Sequence, residues 1–243
     1  MILAVDAGNS RIKWGLYDAD WVAQGAVDTA RAGELAAAWT ALPQPRAAIG
    51  SSVAGASARA AVERALAAWS LEPRWITAQA AQCGVRSGYD DAGQLGPDRW
   101  AALIGARQRE RGACLVVCAG TATTIDALSG DGRFLGGVIV PGVELMREAL
   151  ARSTAALKLQ DGAVRPLPTN TGDAIASGAV HALAGAIERL AAFMRNAGEP
   201  QPICVLSGGG ADLLAPHVAG VVRRVENLVL EGLIAIAAEP GDR

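Results

Sequence analysis

Short apolar runs alternate with polar or glycine-containing breaks through the first part of the chain. Ile2–Val5 is an apolar run that ends at Asp6, which predicts a buried strand followed by a turn. Residues 12–17 and 21–27 fit a hairpin around polar residues 18–20, and the apolar run at 47–51 fits another buried strand. With helical patterns at about 32–41 and 56–69, the order predicted is three strands, helix, strand, helix.

The chain from Cys114 onward repeats this order of elements. A strand at 115–118, a glycine turn and a hairpin of residues 125–128 and 134–140 precede predicted helices at about 143–152 and 173–196, and a last group of strands and helices occupies 203–238. Asp6-Ala7-Gly8 lies 112 positions before Cys118-Ala119-Gly120. The sequence therefore predicts two α/β halves, residues 1–111 and 112–243, and two facing halves would bring both glycine turns to one cleft.

Composition narrows the classes of function. The 243 residues carry a formal net charge of −2 and only 4% are aromatic, which argues against a nucleic-acid partner. The four cysteines form no C-x-x-C pair and two histidines are too few for a typical zinc cluster, which favours free thiols in a reducing compartment. With no secretory leader and no uncharged apolar stretch of spanning length, we expect a cytoplasmic protein with no membrane partner.

The two glycine turns are candidate phosphate-binding sites. In Asp6-Ala7-Gly8-Asn9-Ser10-Arg11-Ile12-Lys13, glycine lets backbone N–H groups approach an anion, Asn9, Ser10 and Lys13 add donors, and Asp6 can hold a divalent cation directly or through water. An ordinary hairpin with Asx-turn chemistry uses the same residue types. The second turn, Gly120-Thr121-Ala122-Thr123-Thr124, is richer in hydroxyls, and such a pair of turns is what a triphosphate clamp needs.

Gly96-Pro97-Asp98-Arg99 opens a predicted helix that runs to about Arg109. Proline at the first helical position and an acidic residue in the first turn are favoured helix starts in any protein. The same residues also suit a general base, Asp98, beside an anion receptor, Arg99, that binds a carboxylate in bidentate fashion. Spacing alone leaves both interpretations open.

Five motifs, in this order and spanning nearly the whole chain, resemble those of the type III pantothenate kinases. They are Asp6-Ala7-Gly8-Asn9-Ser10, Gly96-Pro97-Asp98-Arg99, Gly120-Thr121-Ala122-Thr123-Thr124, Gly136-Gly137 with Pro141-Gly142, and Asn170-Thr171. The resemblance implies duplicated RNase H-like halves of the actin/hexokinase/Hsp70-like ATPase superfamily, with the nucleotide in the cleft between them. It also implies ATP-dependent phosphorylation of (R)-pantothenate to 4′-phosphopantothenate, the first step of coenzyme A biosynthesis.

The resemblance further implies a role for each motif residue. ATP would be bound by Thr121 and by the first turn, which comprises Asp6, Ala7, Gly8, Asn9, Ser10, Arg11, Ile12 and Lys13. Asp6 would also hold Mg²⁺ or another divalent cation. Pantothenate would be bound by Tyr89, Gly96, Pro97, Asp98, Arg99 and Thr171, with Asp98 as the proton acceptor. The family forms homodimers with the pantothenate pocket near the subunit interface, so a homodimer is expected.

Two positions depart from the family pattern. The family usually has aspartate where this chain has Cys118, and that aspartate helps to bind K⁺ or NH₄⁺. A neutral thiol is a poor ligand for hard K⁺, so the monovalent-cation site should be weakened. Ser10 stands where the family usually has threonine and keeps the hydroxyl.

Two other functions stay open from the sequence. A non-catalytic accessory or regulatory factor would share the fold, and some family members carry an accessory-factor label, but Asp6, Asp98 and Arg99 are all present. Another superfamily enzyme, such as a sugar kinase or a polyphosphate/pppGpp phosphatase, is disfavoured by the short chain and by the Gly96–Arg99 motif.

Overall fold

The computed structural model of the chain describes residues 1–154, 157, 160–199 and 201–239. The strands of this part are β1 (Ile2–Ala7), β2 (Arg11–Asp18), β3 (Asp20–Asp28), β4 (Ala47–Ser52), β5 (Pro73–Trp75), β6 (Ala81–Gln82), β7 (Val85–Arg86), β8 (Cys114–Ala119), β9 (Ala122–Leu128), β10 (Phe134–Pro141), β11 (Ile203–Ser207) and β12 (Val222–Arg224). Its α-helices are α1 (Leu35–Trp39), α2 (Gly55–Leu66), α3 (Pro97–Arg109), α4 (Val143–Ser153), α5 (Thr171–Asn196), α6 (Ala211–Leu214) and α7 (Leu228–Ala238). These elements form two compact units, Met1–Arg109 with the chain from Asn227 onward, and Glu110–Glu226.

The first unit is built on a sheet of order β3-β2-β1-β4-β5. β1, β2 and β3 are antiparallel neighbours, whereas β4 pairs parallel with both β1 and β5. Alternate β1 residues, such as Leu3 and Val5, share a buried cluster with Val62 and Leu66 of α2, which is the stripe that the helical pattern predicts. The predicted helix at 32–41 is α-helical only in α1, because a 3-10 segment takes up residues 29–34.

Helices α3 and α7 of the first unit pack closely against each other. A Cβ atom at Gly232 would lie 1.8 Å from the carbonyl oxygen of Ala101, and one at Gly105 would lie 2.4 Å from the carbonyl oxygen of Leu228, so both glycines permit the contact. The division after Arg109 falls close to the predicted boundary at 111–112. The tail from residue 227, predicted in the second half, differs: α7 belongs to the first unit because it packs on α3.

The second unit repeats the sheet of the first, with the order β10-β9-β8-β11-β12. Again the first three strands are antiparallel neighbours and the last two run parallel to the central strand β8. The stripe of α5, including Val180, Leu183 and Ile187, packs on the sheet residues Leu115 and Val117. The predicted duplication of an α/β half is therefore confirmed. Among the helices of the described ranges, none combines the length and the apolar character needed to cross a bilayer.

Candidate active site

The turn between β1 and β2 has its carbonyl groups hydrogen-bonded from inside the unit. The carbonyl oxygen of Ala7 accepts from the amide of Val53 at 3.0 Å. The carbonyl oxygen of Gly8 accepts from the hydroxyl of Thr29 at 2.7 Å, and that of Ser10 accepts from the amide of Thr29 at 3.0 Å. These three carbonyl groups are therefore held by donors of the same unit, which is compatible with an anion site formed by N–H groups and side chains.

The turn between β8 and β9 in the second unit is built in the same way. The carbonyl oxygen of Ala119 accepts from the amide of Gly210 at 3.0 Å, and that of Thr121 accepts from the amide of Gly142 at 2.8 Å. The donors occupy equivalent positions in the two units. Gly210 corresponds to Val53, since each follows the fourth strand of its unit, and Gly142 corresponds to Thr29, since each directly follows the third strand. The repeat thus extends from strand order to the hydrogen bonds of the turns.

Two glycines of the second unit are required by close approach to this turn. A Cβ atom at Gly142 would lie 2.1 Å from the carbonyl oxygen of Gly120. Gly208 has φ +98° and a Cβ atom there would lie 2.4 Å from the carbonyl oxygen of Ala119. Both positions therefore exclude a side chain, which gives the glycine-rich motifs a physical reason.

Asp6 lies at the end of β1, opposite Ser51 in the parallel neighbour β4. The Ser51 side chain is fully buried, and its hydroxyl donates to Asp6 Oδ1 at 2.8 Å. Burial raises the pKa of Asp6 to about 6, while the Ser51 hydrogen bond lowers it, the negative charge of Asp98 raises it and Lys13 lowers it. Asp6 as a residue keeps limited solvent access at the end of β1.

Asp98 occupies the first turn of α3, close enough to Asp6 for the two charges to interact. A Cβ atom at Gly96 would lie 2.6 Å from Asp98 Oδ1, so a side chain at position 96 would displace the carboxylate. The next turn of the helix is anchored by Trp100, which is fully buried and donates from its indole N–H to Gln82 Oε1 at 3.1 Å. The structure thus brings together the acidic residues of the first two motifs.

Arg99 and Tyr89, both predicted to contact the substrate, are hydrogen-bonded to each other. Arg99 Nη1 donates to the Tyr89 hydroxyl at 3.1 Å, and the guanidinium carbon lies 5.9 Å from the centre of the Tyr89 ring. Only 6% of Arg99 is exposed, so its charge is held in a fixed place rather than spread over the surface. A buried, oriented guanidinium is suited to a carboxylate ligand.

Thr121 and Thr171 belong to the second unit. Thr121 is exposed in the β8–β9 turn. Thr171 is the first residue of α5 and is exposed, and Asn170 caps this helix by accepting from the amide of Asp173 at 2.9 Å. The amide of Ala163 and the guanidinium of Arg165 hold the pKa of Asp173 below its usual value. The start of α5 is therefore fixed by polar contacts on both sides of Thr171.

Cys118 is partly buried in β8 and pairs with Thr124 in β9. The Thr124 hydroxyl is buried and has no hydrogen-bond partner among the described residues. Asp126, two residues further along β9, points to the same face of the sheet and is 1% exposed. Oxygen-bearing side chains therefore adjoin Cys118, which itself carries no carboxylate.

The donor groups near Asp6 suit a metal that arrives with phosphates. Across the described residues, no group of three or more His, Cys, Asp or Glu side chains could hold a metal ion. Mg²⁺ is usually bound by one or two carboxylates together with substrate phosphates and water, so Asp6 with Asp98 nearby is sufficient. At Cys118 the fit to K⁺ is poor, since a neutral thiol replaces a hard oxygen ligand.

Three polar residues beside the turns were not predicted from the sequence. Ser51 lies near the end of the apolar strand β4 and Thr29 directly follows β3. Only the folded structure reveals that Ser51 meets Asp6 and that Thr29 meets Gly8. Asp126 sits within a predicted strand, where its burial is the informative feature. A polar residue at the end of a strand parallel to β1 is the one signal that could have identified Ser51.

Comparison with known proteins agrees with this geometry. A sequence profile that describes type III pantothenate kinases matches residues 2–192. The type III pantothenate kinase of Nitrosospira multiformis is 47% identical, covering 100% of this chain and 93% of the relative, and that of Aromatoleum aromaticum is 50% identical, covering 98% of each. A Campylobacter jejuni protein named as a Baf family transcriptional activator is 19% identical with a TM-score of 0.59 over 96% of each chain, a likeness of fold alone. The chain belongs to the type III pantothenate kinase family.

Proposed function

We propose that this protein transfers the γ-phosphoryl group of ATP to the primary hydroxyl of (R)-pantothenate, giving 4′-phosphopantothenate and ADP in the first step of coenzyme A biosynthesis. The main observation behind the proposal is that the two acidic motifs lie close together, because the charge of Asp98 acts on the Asp6 carboxylate at the end of β1. The same helix start supplies Arg99, hydrogen-bonded to Tyr89. A metal-binding carboxylate, a base and a carboxylate receptor thus belong to one unit.

ATP phosphates bind at the β1–β2 turn, whose residues run from Asp6 to Lys13. The exposed Asn9 side chain makes no hydrogen bond within the described part of the chain, so its donors are available to a phosphate oxygen. Asp6 would hold Mg²⁺ directly or through water, and the ion would supply positive charge to the phosphates during transfer. Lys13, whose positive charge already acts on Asp6, adds to the field along β2.

Asp98 accepts the hydroxyl proton of pantothenate. The hydroxyl oxygen forms a bond to the γ-phosphorus, and the bond from that phosphorus to the β–γ bridging oxygen breaks, leaving ADP. Asp98 lies in the first turn of α3, and from this position its carboxylate accepts the proton as attack proceeds. Arg99 binds the pantothenate carboxylate, with Tyr89 fixing the guanidinium, and Gly96 leaves room for the Asp98 carboxylate.

The second unit contributes Thr121 to ATP and Thr171 to pantothenate. Thr121 is exposed in the β8–β9 turn and Thr171 is exposed at the capped start of α5, which supports a ligand-binding role for each. Dependence on K⁺ or NH₄⁺ is weak because Cys118 replaces the carboxylate of the family, although the buried Thr124 hydroxyl adjoins it.

A homodimer is part of the proposal and is supported by an apolar surface on the second unit. The edge strand β10 exposes Leu135, Val138 and Ile139, the last with 62% of its surface accessible. The neighbouring α4 packs Val143 and Met146 against the core of the unit but leaves Leu150 exposed, which extends the apolar surface. The reaction consumes ATP, which is consistent with a place in the cytoplasm.

The proposal is tested by ADP release from ATP and Mg²⁺ in a coupled assay with and without pantothenate. Release that requires pantothenate is expected, whereas a panel of sugars and polyphosphate should give none. Release that follows a sugar instead would assign the chain to another kinase activity. No release with any acceptor, across a range of monovalent cations, would favour an accessory factor.

A further inference from the structure

We infer that Thr29 is a positioning residue for the phosphate-binding turn, acting through its hydroxyl on the carbonyl group of Gly8. Thr29 directly follows β3 and is 21 positions from Gly8 in the chain. The inference rests on the proposed function of the turn, and it assigns this residue to nucleotide affinity rather than to chemistry.

Thr29 makes two hydrogen bonds to the turn with two different groups. Its hydroxyl donates to the Gly8 carbonyl oxygen at 2.7 Å, and its amide donates to the Ser10 carbonyl oxygen at 3.0 Å. The residue is partly buried, so water competes only in part for these acceptors. A single residue therefore fixes two peptide groups of the turn, Gly8–Asn9 and Ser10–Arg11.

The turn of the second unit contains a counterpart of the amide contact made by Thr29. Gly142, which directly follows the third strand of that sheet, donates its amide to the Thr121 carbonyl oxygen at 2.8 Å. Gly142 has no side chain, because a Cβ atom there would lie 2.1 Å from the Gly120 carbonyl oxygen. The amide contact is thus common to both units, and the hydroxyl contact is specific to Thr29 in the first.

Charge explains why the hydroxyl contact affects ATP. A peptide group that turns its N–H towards a phosphate must turn its carbonyl oxygen away, since that oxygen carries partial negative charge. The Thr29 hydroxyl holds the Gly8 carbonyl on the inner side of the turn and so orients the following N–H, that of Asn9, outwards. Without this contact the peptide can rotate, and an ordered anion site becomes a flexible one.

The test compares Thr29→Val, which keeps the shape and removes the hydroxyl, with Thr29→Ser, which keeps the hydroxyl. Thr29→Val should raise the KM for ATP and the dissociation constant of a fluorescent ATP analogue with Mg²⁺ by roughly five- to tenfold, about one hydrogen bond. The KM for pantothenate should stay within about twofold. Thr29→Ser should have the nucleotide affinity of the wild type. If Thr29→Val does not fold, Thr29→Ala replaces it, and the same loss of nucleotide affinity is expected.

Thr40→Val is the matched control, because the Thr40 hydroxyl also donates to a backbone carbonyl, that of Ala36 at 3.0 Å, at the end of α1. It should leave both affinities unchanged. Equal losses for ATP and pantothenate, or a Ser variant as weak as the Val variant, would overturn the inference. If the wild type binds the ATP analogue but does not phosphorylate pantothenate, the proposed reaction fails while the binding comparison still decides the role of Thr29. If the wild type binds no nucleotide, the inference fails as well.

Discussion

Replacing Asp6 by asparagine removes a charged group from a buried site where the charge destabilises the folded state. Burial and, to a smaller extent, the negative charge of Asp98 raise the pKa of the Asp6 carboxyl from 3.8 to about 6, although the hydrogen bond from Ser51 lowers it. The Ser51 hydroxyl can donate to an amide oxygen as well as to a carboxylate, so Asp6→Asn keeps the hydrogen bond. We expect a variant that is more stable than the wild type and inactive.

The magnitude follows from the shift in pKa. A shift of about two units corresponds to about 3 kcal/mol, and because Asp6 keeps limited solvent access we expect about 1–3 kcal/mol at pH 8. The folded state binds the Asp6 proton more tightly than the unfolded state, so this contribution to stability falls as pH rises from about 4 to about 6. The advantage of Asp6→Asn should therefore be full above pH 6 and shrink towards pH 4.

The assay is urea unfolding of both proteins, without ATP or Mg²⁺, at several pH values between 4 and 8. The control is Asp28→Asn, which removes an exposed carboxylate from β3 and should change stability by no more than about 0.5 kcal/mol at any pH. An Asp6→Asn variant that is less stable at pH 8, or whose advantage does not depend on pH, would refute the reasoning. A stable variant with normal turnover would show that Asp6 is not needed for catalysis.

Three further predictions concern the base, the cation site and the helix packing. In steady-state kinetics, Asp98→Asn should lower kcat by roughly two or more orders of magnitude, whereas Arg99→Ala should mainly raise the KM for pantothenate. Near-normal turnover in Asp98→Asn would show that Asp98 only stabilises the start of the helix. Cys118→Asp should strengthen the response of activity to K⁺ in a KCl titration at constant ionic strength, and equal, tight saturation in both proteins would show that the missing carboxylate has no effect. Gly232→Ala should lower the free energy of unfolding by about 3 kcal/mol or more, because the new Cβ would lie 1.8 Å from a carbonyl oxygen of α3. The control is Gly185→Ala on the exposed face of α5, where a Cβ atom would meet nothing within 4 Å and the substitution should raise the free energy of unfolding by about 0.5–1 kcal/mol. Similar unfolding curves for the two variants would contradict the α3–α7 contact.

The sequence predicts the fold class well because its signals are local and repeated. The two runs of strand, glycine turn and hairpin determine two sheets of the same order, so the predicted duplication of an α/β half is confirmed. The position of α7 depends instead on Gly232 meeting the backbone of α3, more than a hundred residues earlier in the chain. β5 has only three residues, too few for a periodic pattern.

The residues of the candidate site also fall into two groups, those that local motifs predict and those that only the strand pairing reveals. Residues within motifs, such as Asp6, Asp98 and Arg99, can be predicted from the sequence because each motif combines candidate chemistry with a turn or a helix start. The contacts that hold them are made across strands: Ser51 meets Asp6 through parallel pairing, and Thr29 meets Gly8 at the end of a hairpin. Such contacts depend on register, which a single sequence does not display.

The most direct test of the proposed reaction is identification of the product by mass spectrometry. Wild-type protein incubated with ATP, Mg²⁺ and (R)-pantothenate should convert pantothenate into a species heavier by one phosphoryl group, with ADP formed in equal amount. Asp98→Asn at the same concentration should yield little of it, which excludes a contaminating kinase. ADP without phosphorylated pantothenate, or equal product from both proteins, would contradict the account.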